Sequence, residues 1–316
     1  MKGMRYGLFV RFLIGVVGLV VVLGSAASAD MLVAWRDSAR VARYTDNWTY
    51  TGDFRTFASG VRVLNVVQDK STGDVYVRTA TGFGATDSSV VKYDYLGNLI
   101  PGWSVTGLSY GKGMAVRDGK IFISDGTAQT ITWYSTTNSS VSGSLSSGSD
   151  AMGPVEALTF DSQGKLFAAG GSTIKRWDAD LNYLGIVVGD SANLTDIKMM
   201  PGSDGIRALR WDGYLLGWDN DGVWTGPYYH HAPPPWPQAL WISPTGEYFR
   251  SATGSSGGIQ LLDTATGTWW TVVPEQGGYF YYPMGIADFQ MIPEPGSVLV
   301  LGSGLLGALA FVRRRR

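Results

Sequence analysis

The sequence has no cysteine and only two histidines, His230 and His231, which stand side by side. The first absence excludes disulfides and thiolate chemistry. The second leaves little scope for a His-based catalytic centre. Consecutive residues on an extended strand point to opposite faces, so the adjacent pair chelates a metal poorly, and no third ligand is evident. The chain also lacks a G-x-S-x-G nucleophile elbow, an H-E-x-x-H zinc motif, a P-loop and a dinucleotide-binding glycine fingerprint. No cluster of Lys and Arg occurs between residues 30 and 312. The formal net charge is −1, and removing the three basic residues of the leader and the four of the tail leaves 18 basic against 26 acidic side chains, a net −8. A body of that sign does not invite nucleic acid, whose backbone needs cationic neutralisation.

Glycine is abundant, at 43 residues, and aromatics make up 13% of the chain. Both suit many short strands joined by tight turns. Residues 155–185 form one unit of four such strands: VEALTF, KLFAAG, TIKRWD and YLGIVVG, separated by Asp/Ser/Gly/Asn turns. The unit recurs. Its third strand is anchored in successive copies by Tyr44, Tyr93, Tyr134, Trp177, Trp218 and Leu262, spaced 49, 41, 43, 41 and 44 residues apart. Its first strand recurs as VLNVVQD, GMAVRDG, EALTFD, DIKMMP, ALWISP and GIADFQ. A period of 40–45 residues with four strands per unit predicts a β-propeller, ahead of a β-sandwich or a β-solenoid. The first copy begins at its second strand, MLVAWR, and its missing first strand lies at the other end, as Gly285–Gln290. The expected fold is therefore an all-β, six-bladed propeller in which the C-terminal strand closes the N-terminal blade and removes an open sheet edge. The blades fall at residues 30–60 with 283–291, then 61–107, 108–150, 151–191, 192–234 and 235–282.

Both ends stand apart from this body. Residues 1–29 read as a secretory signal: Lys2, Arg5 and Arg11 precede an apolar run, and Ala27-Ser28-Ala29 offers a cleavage point for signal peptidase after Ala29. At the other end Ile292-Pro293-Glu294-Pro295-Gly296 is followed by the apolar run Val298–Val312 and by Arg313, Arg314, Arg315 and Arg316. The run is about 15 residues, shorter than a full span, and reads as a short membrane helix held by its arginines until processing. Pro293-Glu294-Pro295, the glycine-containing hydrophobic segment and the arginine cluster together resemble the PEP-CTERM sorting domain of exosortase substrates. That resemblance, over residues 293–316, implies export across the inner membrane of a Gram-negative bacterium, recognition and cleavage by exosortase at the Pro-Glu-Pro, and a cell-surface or extracellular destination. The domains are thus a signal peptide at 1–29, a propeller at 30–291 and a sorting signal at 292–316.

Within the propeller, Gly113-Met114-Ala115-Val116, Lys165-Leu166-Phe167, Thr173–Asp178 and Gly285-Ile286-Ala287 resemble NHL-type repeats. Such propellers include sugar-lactone hydrolases and lyases as well as pure binding modules, so the resemblance implies a platform without selecting an activity. Two sets of candidate residues follow. Tyr228, Tyr229, His230, His231 and Trp236, around the stiff Pro233–Pro235 connector, offer an aromatic surface for sugar rings. Glu156, Asp196 and Asp288 fall on first strands, where side chains can line the axial channel and together hold a divalent cation. DNDG at 219–222 reads as a turn, because a full calcium loop needs a longer alternating set of oxygen ligands and a terminal Glu. The expectation is an exported, non-catalytic surface or matrix propeller, with no cofactor of its own, that binds polysaccharide or protein partners. The rivals are a metal-dependent hydrolase or lyase of sugar derivatives with an axial site, and a structural matrix protein with no discrete ligand.

Overall fold

The computed structural model describes residues 30–82, 87–109, 111–126, 128–150, 153–189, 193–226, 237–252, 258–274 and 283–290. Asp30–Phe289 form one compact unit. Six antiparallel sheets make it up. The first holds β1 (Asp30–Trp35), β2 (Arg40–Tyr44), β3 (Tyr50–Thr56) and the last strand of the chain, β23 (Pro283–Phe289). The second holds β4 (Arg62–Gln68), β5 (Val75–Ala80), β6 (Ser88–Tyr93) and β7 (Leu99–Leu108). The third holds β8 (Met114–Arg117), β9 (Lys120–Asp125), β10 (Thr130–Ser135) and β11 (Ser142–Ser144). The fourth holds β12 (Ala157–Phe160), β13 (Leu166–Gly170), β14 (Thr173–Trp177) and β15 (Tyr183–Val188). The fifth has three strands among the described residues, β16 (Leu194–Met199), β17 (Ile206–Arg210) and β18 (Leu215–Trp218). The sixth holds β19 (Leu240–Ile242), β20 (Tyr248–Ala252), β21 (Gly258–Asp263) and β22 (Thr268–Pro274).

The ring closes as the phase of the repeat predicts. β23 pairs antiparallel with β1, Leu32 opposite Ala287 and Val33 opposite Ile286, with a bulge between Ala34 and Trp35. The first strands of successive sheets adjoin in turn, β23, β4, β8, β12, β16 and β19, and β19 returns to β23. Six blades therefore surround one axis.

Burial follows position in the blade. The second strands are buried almost throughout, as in β1, β5 and β13, because neighbouring blades cover both faces. The outer strands β3 and β7 are exposed over most of their length. Aromatic and cationic side chains tie blade to blade. Trp103 Nε1 donates to the Ser135 carbonyl at 2.8 Å and Trp177 Nε1 to that of Ser146 at 2.7 Å. The fully buried Arg78 guanidinium donates to the carbonyls of Ser109 and Ser124, both at 2.8 Å.

The recurring acid after the third strand is a turn device. Asp94 Oδ1 accepts the amides of Leu96 and Asn98, and Asp219 Oδ1 those of Asp221 and Val223. Asp178 and Asp263 do the same for the amides of Asn182 and Ala265; hydrogen bonds from the Asn182 side chain and the Thr266 hydroxyl, together with these amides, hold the two carboxyls below their ordinary range. DNDG is accordingly a turn. Asp212, nearby in sequence, is engaged separately by Arg210 at 2.6–2.7 Å.

Thr79 and Ala80 pair with Ser89 and Ser88 and carry β5 and β6 to their ends. Trp48 sits in the β2–β3 turn with a positive φ of 62°. One expectation needs correction. The expected transmembrane helix and membrane attachment do not stand: no helix among the described residues is long and apolar enough to cross a membrane. The run assigned to it, Val298–Val312, is itself short of the ~20 residues a span needs and lies outside the described residues.

One close backbone approach makes a sharp test of the packing within blade four, where the segment entering β12 lies against the end of β13. A Cβ on Gly170, at the end of β13, would lie 1.7 Å from the Pro154 carbonyl oxygen. No rotamer relieves a backbone clash, so Gly170→Ala should cost about 3 kcal/mol, the upper part of the overpacking range. Thermal unfolding should show Tm lowered by roughly 6–12 °C. Gly171→Ala has open space around the new methyl and only the strain of φ +56°, and it should cost about 1 kcal/mol. Equal effects from the two would mean that the Gly170 contact is not as drawn.

Candidate functional site

The inner strands enclose an axial cavity of about 410 Å³. Because every blade repeats the same strand phase, equivalent residues meet at one level. The first-strand residues opposite Tyr76, Phe122, Phe167, Arg207, Phe249 and Leu32, equivalent positions of the second strands, form a ring of Val67, Ala115, Thr159, Lys198, Trp241 and Ala287, all of which line the cavity. The ring is two-sided. Blades one to three contribute Ala287, Val67 and Ala115, which are small and apolar. Blades four to six contribute Thr159, Lys198 and Trp241, a hydroxyl, a cation and an indole. Gln68, Lys70 and Asp288 stand one to three residues further along their chains and form the mouth.

At the opposite level the axis is crossed by one side chain. Lys112 leaves blade three just before β8 and donates from Nζ to the carbonyl of Thr195 in blade five at 3.0 Å. It also donates to the carbonyl and Oε1 of Gln238, leading into blade six, at 2.9 and 3.1 Å. Glu156 of blade four lies 3.8 Å away, and Asn65 Nδ2 of blade two donates to the Lys112 carbonyl at 2.6 Å. Blades three and six face each other across a six-fold ring, so Lys112 spans the diameter and forms a floor. The side chain is 4% exposed. Burial pulls its pKa below the ordinary lysine value, while Glu156 and Asp196 pull it back up.

The three candidate axial acids are placed in the first strands or at their start, but they do not converge. Glu156 lies at the floor, against Lys112. Asp196 is mostly buried; its oxygens accept the amides of Ile197 at 2.8 Å and Leu240 at 2.7 Å, with Lys198 Nζ 3.6 Å away. Asp288 stands at the mouth, where it accepts Lys70 Nζ at 2.8 Å and Trp241 Nε1. Gly285 is level with Asn65 and hence with the floor. Asp288, three residues on, is about 10 Å further along the axis. Each acid thus has its own lysine, and the three carboxylates are held at separate places along the axis. Among the described residues, no group of three or more His, Asp or Glu side chains is placed to hold a metal ion.

Lys112, Lys198 and Lys70 are not visible as site residues in the sequence, where the first strands are read for their acids. The available signal was a charged residue inside or flanking a short buried strand, as Lys198 is in DIKMMP and Lys112 between two glycines. Tyr228, Tyr229, His230, His231 and Trp236 lie outside the described residues, as do Ala27 and Ala29 and all of residues 292–316.

Residues 292–316 match the family described as the PEP-CTERM protein-sorting motif. The chain carries an exosortase sorting signal. That signal implies an exosortase-mediated export and processing partnership of the Gram-negative surface pathway, and it covers the tail and not the propeller. No curated protein matches the chain in sequence. The propeller is similar to a chain of the nidogen/laminin complex, with a TM-score of 0.63 at 12% identity over 81% of this chain and 97% of the other. It is also similar to the WD40 β-propeller domain of Doa1, with a TM-score of 0.58 at 12% identity over 81% and 82%. A third likeness is to a protein of unknown function from Bacteroides caccae, with a TM-score of 0.58 at 10% identity over 84% and 100%. At these identities the likeness is one of fold.

Proposed function

We propose that this protein is a surface propeller, released by signal peptidase and sorted by exosortase, that binds an extracellular polysaccharide at the axial mouth without turning it over. One observation carries the reading: the cavity is walled by all six blades, yet Asp288 is the single carboxylate among the described residues that lines it, and that carboxylate is already held by Lys70 and Trp241. Hydrolysis of a glycoside by paired carboxylates requires two of them about 5–10 Å apart across the bond. The cavity is concave and its wall mixes polar with apolar side chains, which suits a polyhydroxylated ligand.

The test is a glycan array probed with the full-length chain, alongside metal analysis and an assay for released sugar. Saccharide binding is expected without product formation. Val67→Trp, which fills the cavity from its apolar side, should weaken that binding at least tenfold. Turnover of a bound sugar, or binding that survives Val67→Trp unchanged, would overturn the assignment. A protein partner with no saccharide bound would move the function to another face.

A further inference from the structure

We infer that the saccharide taken at the axial mouth is acidic, and that Lys198 is the counter-ion of its carboxylate. The inference rests on the binding reading above and adds the chemical class of the ligand. Lys198 is the member of the ring that blade five supplies, on the inner strand β16, with its side chain 30% exposed. An ammonium half-withdrawn from water is costly unless something compensates it. Its neighbour Asp196 compensates only part. The contact is 3.6 Å, too long for a hydrogen bond, because the two Asp196 oxygens are drawn to the amides of Ile197 and Leu240. Among the described residues, the Lys198 ammonium therefore has an ion-pair neighbour and no hydrogen-bond acceptor. Its three donors are available to a ligand.

The charge of the wall has the same sense. Two lysines and one aspartate line the cavity. Lys70 and Asp288 satisfy one another at 2.8 Å, and Asp196, the charge opposite Lys198, does not itself line the cavity, so the Lys198 ammonium faces the cavity with no carboxylate hydrogen-bonded to it. Residues 30–295 carry a net −8, so this ammonium presents a positive face within a negative body. A simple polyanion would be repelled by the surrounding surface. A ligand that projects one carboxylate at a time from a polyhydroxylated ring suits the pocket better. Thr159 in the next blade can hydrogen-bond a hydroxyl, and the mostly buried Trp241 lines the other side. The cavity, at about 410 Å³, has room for one or two sugar rings.

The experiment titrates the full-length chain with tetrasaccharides of galacturonate, glucuronate and mannuronate, each against its own methyl ester, which keeps size and hydroxyl pattern and removes the charge. At least one acid should bind, its ester at least tenfold more weakly, and added salt should weaken the acid alone. Lys198→Gln should lose at least tenfold for the acid and clearly less for the ester. Lys198→Arg should retain the acid within about threefold, and the Tm of both variants reports whether the fold is intact. An ester that binds as well as its acid, or Lys198→Gln with unchanged affinity, overturns the acidic class and leaves a neutral-sugar binder standing. Failure of every acid and every ester removes both this inference and the saccharide reading.

Discussion

A chain that ends at residue 282 should not fold into a propeller. The residues lost include β23, seven amino acids that are the first strand of blade one although they come last in the chain. Met284, Ile286 and Phe289 are 3%, 4% and 1% exposed. Ile286 packs with Met31, Val33 and Trp35 and with Trp241 of blade six, and Phe289 with Leu32, Ala34 and Phe54. Burying three such side chains contributes roughly 5–9 kcal/mol, against a total stability of about 5–15 kcal/mol for a typical domain. Truncation also strips β1 of its inner hydrogen-bond partner and leaves blades two and six without the strand between them. The expected result is loss of the near-ultraviolet circular dichroism and of a cooperative thermal transition. A chain ending at residue 291 should keep both. Should the version ending at 282 melt cooperatively near the Tm of the longer chain, the closure does not hold the ring together.

Much of this architecture was legible because propeller blades repeat a local pattern. The third-strand anchors Tyr93, Trp177 and Trp218 and the turn acids Asp94, Asp178 and Asp219 recur since every blade needs the same hairpin chemistry. The head-to-tail pairing followed from phase alone, as the copy beginning at Met31 lacked a strand that Gly285–Gln290 could supply. The axial site was legible only in part. Which acids reach the axis depends on register, and one residue of register separates Ala157, inside β12, from Glu156 at its start. Whether acids converge depends on their height along the axis, which puts Asp288 about 10 Å from the level of Glu156. Two of the neutralising lysines come from other blades than their acids: Lys112 meets Glu156, and Lys70 meets Asp288, 218 residues away in sequence. Such pairings arise from ring closure and leave no mark on local spacing. Trp48 carries a related lesson, since its place in a turn rather than a strand is set by packing against Trp241 and Phe249 of blade six.

The floor of the cavity should be the other point of greatest sensitivity, through Lys112→Met. The substitution keeps the length of the side chain and removes the group that holds blades four, five and six across the axis. The carbonyls of Thr195 and Gln238 lose their donor, and Glu156 loses its neighbour. Breaking a buried charge pair by removing one partner costs about 3–5 kcal/mol. Glu156 is a third exposed and water can serve it, so a cost near 3 kcal/mol is expected, or roughly 6–12 °C in Tm. The pH dependence separates this device from an ordinary surface ion pair. Burial lowers the Lys112 pKa, so the folded chain releases this proton at a lower pH than the unfolded chain, whose lysines keep theirs to about 10.5. Between those two values the unfolded state holds more protons, and stability rises with pH. The advantage of the native protein over Lys112→Met should therefore widen between pH 7 and 10 in urea unfolding. A lysine whose pKa was raised by its partner would show the reverse, a gap that closes as the charge is lost. Above pH 10 both proteins should weaken together, because burial raises the pKa of Tyr76 and Tyr183 and their phenols ionise more readily in the unfolded chain. A gap that narrows on the way to pH 10 would mean that the Lys112 ammonium is paired more strongly than it is desolvated, and that the floor is an ion pair reaching toward Glu156 and not a buried bolt across the ring.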